Sequence, residues 1–188
     1  MLALPPMFRA LRHRNYRIFF SGNLVSLVGT WMQMIAQSWL VYRLTSSELL
    51  LGWVGFVSQV PSLFVTPLGG VLADRCDRRR VLLLTQSLQA GQALALAWLT
   101  LSGTVAVWHI MALSLFLGLV NAFDMPLRHA IILELVEDKK DLSNAIAMNS
   151  LMFNCARLLG PAVAGFLIAW AGEGYCFLGN GVSFLAIL

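Results

Sequence analysis

Charge is scarce in this chain: Asp, Glu, Lys and Arg make up 12% of its 188 residues, against roughly 25% in soluble globular domains. Beside 59% hydrophobic residues and a mean hydropathy of +0.75, so low a share excludes a water-soluble core as the destination of the apolar side chains. Cysteine and histidine are scarcer, with three of each. Cys76, Cys155 and Cys176 are odd in number and widely spaced, which implies neither a disulfide framework nor a zinc site. His13, His109 and His129 are equally dispersed, so no metal-ligand spacing is present. Neither a metal nor a cofactor is expected. An intramembrane enzyme would need a nucleophile with a positioned base, or a metal cluster, and no Ser-His, Cys-His or paired-acid arrangement is evident. The formal charge of +4 does not indicate nucleic acid, because the basic residues fall in short clusters between apolar runs and form no continuous basic face.

What is abundant is the uncharged run. A bilayer crossing takes about 20 apolar residues, so the chain has room for six spans and none for a separate soluble domain. The expected spans are 18–42, 49–73, 81–101, 105–123, 145–171 and 175–188. The first is longer than the roughly 7–15 residue apolar region of a signal peptide and reads as a retained span. Ser102-Gly103-Thr104 supplies the turn that splits the long third stretch in two. The last run has fourteen residues and no closing basic stop, so the sixth helix is expected to be truncated. The fold class is therefore an all-α membrane bundle.

Orientation follows from the basic residues. Arg9, Arg12, Arg14 and Arg17 precede span one; Arg75, Arg78, Arg79 and Arg80 follow span two; Arg128, Lys139 and Lys140 follow span four. Only Arg43 falls in a loop on the other side, and this asymmetry places residues 1–17, a basic amphipathic N-terminus, in the cytoplasm. Ile131, Ile132, Leu135 and Val136 oppose Glu134, Glu137 and Asp138 at helical spacing, which predicts an interfacial helix over about 127–138 on the cytoplasmic surface.

Polar residues inside spans are the candidate functional set. Asn23, Ser26, Thr30, Gln33 and Gln37 recur at steps of three and four, so they line one face of span one. The stripe serves either as interhelical hydrogen bonding, at about 0.6 kcal/mol per contact, or as the wall of a wet substrate pathway. Arg157 sits near the middle of span five, where a charge costs roughly 2.5–3.5 kcal/mol, and it shares a face with Ser150 and Asn154. It either meets an anionic substrate group, answers a proton movement elsewhere, or belongs to a fixed structural pair. On another face Ala156, Gly160 and Ala164 repeat every four residues, with Pro161 and Gly165 beside them, which permits close helix approach. Pro161 removes one backbone hydrogen bond, marking either a bend or a tolerated proline.

The loop after span two reads Gly69-Gly70-Val71-Leu72-Ala73-Asp74-Arg75-Cys76-Asp77-Arg78-Arg79-Arg80. It resembles the signature of the major facilitator superfamily, with Asp77 where the signature has its second glycine. Asn121-Ala-Phe-Asp-Met-Pro-Leu-Arg128 and Arg157-Leu-Leu-Gly-Pro-Ala-Val-Ala-Gly165 resemble exporters of that superfamily, in particular a bacterial branch with siderophore and drug efflux proteins. The second is similar to the antiporter signature of span five, without its upstream glycines and with Ala164 in place of one near the end. The resemblance covers the first six of the family's usual twelve spans.

The resemblance implies two inverted three-helix repeats and a substrate site near the midplane, against a C-terminal six-helix half or a second copy. It implies alternating-access export of a small amphipathic molecule across the bacterial plasma (inner) membrane. By position, Gly70, Asp74, Arg75, Arg78 and Arg79 would belong to the cytoplasmic gate: Asp74 would meet a helix end in the other half, and Arg78 would pair with Asp124. These charges otherwise only anchor the loop. With no carboxylate mid-membrane, any proton coupling is expected to draw on the other half. The rival expectation is a non-transporting fragment or scaffold.

Overall fold

The computed structural model describes residues 12–75, 77–135 and 139–186, with side chains for all of these except 68–75, 132–135, 139, 140 and 186. Six α-helices follow one another: α1 Arg14–Thr45, α2 Glu48–Arg75, α3 Arg78–Leu101, α4 Val107–Leu135, α5 Lys139–Ala171 and α6 Glu173–Ser183, with a short 3-10 turn over Phe184–Ala186. Among the described residues there is no strand. Residues 1–11, 136–138, 187 and 188 of the expected N-terminal segment, surface helix and last span lie outside the described residues.

The connections are set by local chemistry. Ser46, in the left-handed region at φ 49°, stops α1, and its N–H donates to the Tyr42 carbonyl. Gly103 takes φ +73° in the turn between α3 and α4, a conformation open to glycine without a Cβ clash. Asp77 is the N-cap of α3: its Oδ1 accepts from the Arg79 and Arg80 N–H groups at 3.0 and 3.3 Å. The aspartate standing where the superfamily signature has glycine thus satisfies two of the orphan donors of a helix start.

One expectation needs correction. The segment expected as a separate interfacial helix is, as far as Leu135, the unbroken continuation of α4. Pro126 lies inside that helix, where neighbouring helices in a membrane bundle can accommodate the lost backbone bond. The six expected helices are all present, and among the described residues four are, by length and composition, able to cross a membrane: Arg14–Thr45, Glu48–Pro67, Val107–Ile131 and Asp141–Ala171. Thr85, Gln86, Gln89 and Gln92 lower the hydropathy of α3, and α6 has only 11 residues.

Packing follows an internal two-fold relation in which α1, α2 and α3 correspond to α4, α5 and α6. The helix α1 packs on α5 and α6, its counterpart α4 packs on α2 and α3, and α3 packs on α6. The α1 and α5 axes run parallel and in register: His13 Nε2 lies 3.3 Å from Asp141 Oδ2, the Tyr16 hydroxyl donates to the Ala145 carbonyl at 3.0 Å, and Asn23 contacts the Met152 sulfur. Each parallel pair closes on a glycine. A methyl at Gly160 would run into Trp31 of α1, and one at Gly118 would run into the Ser58 carbonyl of α2. Helices in a bilayer gain from such close approach because lipid offers no hydrophobic drive between them.

The interior has two storeys. Towards the end away from the arginine clusters it is apolar, built from Met32, Ala36, Leu40, Leu96, Ile110, Ala164 and Phe177 with their neighbours. There Arg43 forks onto Glu173, joining the ends of α1 and α6 at 2.8 and 3.0 Å. Towards the arginine-rich end the interior is polar.

Candidate functional site

The polar storey is assembled from α1, α3, α4 and α6. Asn23, Ser26 and Gln33 of the span-one stripe are buried and face inward. Gln33 Nε2 donates to Gln92 Oε1 at 2.9 Å, and its own Oε1 accepts from Asn180 Nδ2 at 2.8 Å. Thr30 and Gln37 are half-buried; the Thr30 hydroxyl donates to the Ser26 carbonyl, and Gln37 donates to the Ser114 hydroxyl at 2.9 Å. The Gln33–Asn180 bond between α1 and α6 has its symmetric counterpart in Gln89–Asn121, 3.0 Å, between α3 and α4.

Nearer the arginine-rich end lies Asp124, almost fully buried. Its Oδ1 accepts from the Thr85 hydroxyl at 2.6 Å and from Gln86 Nε2 at 2.8 Å, while Oδ2 pairs with Arg128 one turn later. Arg128 also donates to Asn23 Oδ1, so one guanidinium links α4 to α1. A buried carboxylate demands this many donors, because an ionised group in a poorly solvated interior is otherwise costly. The cluster keeps some slack: Ser26 Oγ, Gln86 Oε1 and Gln92 Nε2 are buried without a partner among the described residues. Each such atom costs about 1–3 kcal/mol, and each gives the network another pairing to adopt.

Height along the bundle can be read from the Gln33–Gln92 bond. Ser26 and Thr85 are both seven residues closer to the arginine-rich end, so they stand at one level about 10 Å away along the axis. The Asp124 cluster occupies that level. Arg78, its expected partner, stands half-buried at the first position of α3, and Arg79 is exposed there. Gly70, Asp74 and Arg75 belong to the last turns of α2, and their side chains lie outside the described residues.

Helix α5 divides its expected residues between two faces. Ala156, Gly160 and Ala164 are buried towards α1, whereas Gly165 opens onto free space. Asn154 and Arg157 are exposed on the outside of the bundle, away from the α1 stripe. Asn154 Nδ2 donates to the Ser150 carbonyl at 2.8 Å, and the Arg157 guanidinium carbon lies 5.8 Å from the centre of the Trp31 ring. Pro161, half-buried one turn beyond Arg157, does not end the helix.

Sequence reasoning missed Thr85, Gln86, Gln89 and Gln92. The signal was available, since these residues step by one and three along α3 as the α1 stripe steps by three and four. Counting charges alone hid them, because amides carry none. Among the described residues no three His, Cys, Asp or Glu side chains converge as a metal site would require.

A six-helix bundle of two inverted three-helix repeats, with a charged turn between its second and third helices, is the architecture of the amino-terminal helical bundle of the major facilitator superfamily. Residues 6–188 match the family described as "Transmembrane secretion effector", and the chain belongs to that family, whose members are multi-pass membrane proteins. It is 31% identical to the staphyloferrin A transporter of Staphylococcus aureus over 92% of this chain and 44% of that protein. The multidrug efflux pump Tap of Mycolicibacterium fortuitum is 28% identical over 79% of this chain and 37% of its own length. The macrolide efflux protein A of Streptococcus pyogenes is 22% identical over 83% and 39% respectively. The chain therefore spans less than half the length of these curated relatives. No solved structure matches it. No catalytic family is indicated.

Proposed function

We propose that this chain forms half of a secondary active transporter that exports a small amphipathic molecule by alternating access, completed by a C-terminal six-helix half or by a second copy. The observation that carries the reading is the inverted-repeat half-bundle, in a chain similar to transporters named for staphyloferrin A and for drug efflux. Major facilitator halves rock against each other around a site near the bilayer midplane. In this reading the exposed strip of Asn154 and Arg157 on α5 and, separately, the half-buried Thr30 and Gln37 on α1 border the substrate path. Asn23, Ser26 and Gln33 act from behind, holding α1 to its neighbours.

The gate lies at the arginine-rich, cytoplasmic end. Asp74 meets a helix end of the other half, and Asp124 exchanges Arg128 for Arg78 when the conformer changes. A ligand or partner shifts such an equilibrium only through its differential strength in the two states. The protein resides in the bacterial plasma membrane with its N-terminus in the cytoplasm, and proton coupling draws on carboxylates of the other half.

The test is efflux from bacterial cells lacking their own drug pumps, producing the natural full-length chain and loaded with amphipathic dyes. Production should lower dye accumulation, a protonophore should restore it, and Gln33→Leu should slow the efflux. Equal accumulation with and without the protein, across dyes of either charge and none, would refute export.

A further inference from the structure

The exposed strip of α5 has a chemistry of its own, and it lies close to the middle of its helix. The helix runs 139–171, so residue 155 is its midpoint and Arg157 stands about 3 Å beyond it along the axis. A guanidinium at that depth is costly unless it is paired or wet. Arg43, Arg80, Arg128 and His13 each meet a carboxylate, and no ion pair among the described residues places one on Arg157.

What holds Arg157 is aromatic. Its guanidinium lies 5.8 Å from the centroid of the Trp31 ring, within cation–π range. Trp31 is in turn fixed edge-on against Phe153, with ring centres 5.5 Å apart at 75°. Gly160 lets the Trp31 backbone press onto α5 at this level, so the ring underlies the arginine rather than standing off it. Stacking of this kind leaves the N–H fork of a guanidinium free to bind a planar or tetrahedral oxyanion. Ser150, Phe153, Asn154 and Arg157 fall within about 100° of the helix circumference, and Phe153 and Asn154 are exposed beside the arginine. The strip thus joins a cation, an amide and aromatic faces.

We propose that this strip is a substrate-binding subsite selective for anionic aromatic amphiphiles, with Arg157 taking the oxyanion and Trp31 with Phe153 taking the ring. The assignment rests on the transporter reading above and adds a substrate class to it. A mid-membrane location excludes lipid headgroups, so the oxyanion is a carboxylate or phosphate of the transported molecule itself.

The test uses the natural full-length chain in nanodiscs and three probes on one scaffold: 2-naphthoate, 2-naphthyl phosphate and 2-naphthylmethylammonium. Binding is read by calorimetry, and movement is read in proteoliposomes. The native protein should bind one or both anions and disfavour the cation; the stronger anion identifies the oxyanion. Arg157→Gln should weaken that anion by about tenfold or more, the loss expected for a charge-assisted hydrogen bond. Arg157→Lys should keep part of the affinity, Trp31→Leu should weaken it several-fold, and Arg157→Glu should reverse the charge preference. Unchanged anion affinity in a folded Arg157→Gln protein would overturn the proposal. So would a variant restored by neutralising an acidic residue in the second half, which would make Arg157 a structural partner. Failure to move any probe while the anion preference and its loss persist would count against transport and leave the subsite standing.

Discussion

The buried cluster around Asp124 allows a quantitative experiment. Asp124→Leu removes the acceptor for Thr85 and Gln86 and leaves Arg128, which is 16% exposed at its side chain, as an unpaired buried cation. Breaking a buried pair from one side typically costs 3–5 kcal/mol, a factor of roughly 150–4,000 in the folded population at about 1.4 kcal/mol per decade. Replacing both partners is far cheaper, because no lone charge remains. Asp124→Leu with Arg128→Leu should therefore recover most of the loss, short of about 1 kcal/mol for the orphaned Asn23 carbonyl. The assay is thermal melting of the natural full-length protein in detergent, followed by fluorescence-detected size exclusion, with membrane abundance in parallel. Asp124→Leu should melt well below the native protein and the double variant between the two. Should the single variant melt with the native protein, or the double fall as far as the single, the carboxylate is not the centre of a charge network.

The two parallel helix pairs make a matched test of close approach. Gly118→Val should drive α4 off the Ser58 carbonyl of α2 at about 1–3 kcal/mol, whereas Gly165→Ala, with nothing within 4 Å, should be neutral or slightly stabilising in a helix; equal melting of the two variants contradicts the packing. Asp77→Ala should cost about 1 kcal/mol by uncapping α3, and Asp77→Asn should retain most of the cap, both read as melting temperature.

How much of this was legible in the sequence depended on whether the cause was local. The six helices and the Ser102-Gly103-Thr104 turn were legible because apolar run length and punctuation act within a few residues. The charged turn after α2 was legible for the same reason, and family membership bears out the recognition it prompted. The pairing of α1 with α5 was not, since the contacts join residues 128 and 129 positions apart, and no periodicity within one helix specifies its partner. The α1 stripe was visible as a polar face, but its direction was not: Gln33 turns inward only because Gln92 and Asn180 await it. Asp77 looked like a departure from a signature until the start of α3 supplied two N–H groups for it.

The register between α1 and α5 also bears on how the chain is made. The first helix emerges from the ribosome with Asn23, Ser26 and Gln33 on one face; Gln33 finds Gln92 at 59 residues further along, but Met152 for Asn23 and Asn180 for the Gln33 side-chain carbonyl are 129 and 147 residues further along. At about 5–20 residues per second of synthesis, that interval lasts roughly 6–30 s. Until it ends the leading segment lacks part of its native set of polar partners, and an incompletely paired amide in hydrocarbon is unfavourable. The nascent segment is thus under pressure to linger beside the insertion machinery or a membrane chaperone until its fifth companion arrives, so a pause in translation before residue 139 would lengthen its exposure to quality-control proteolysis.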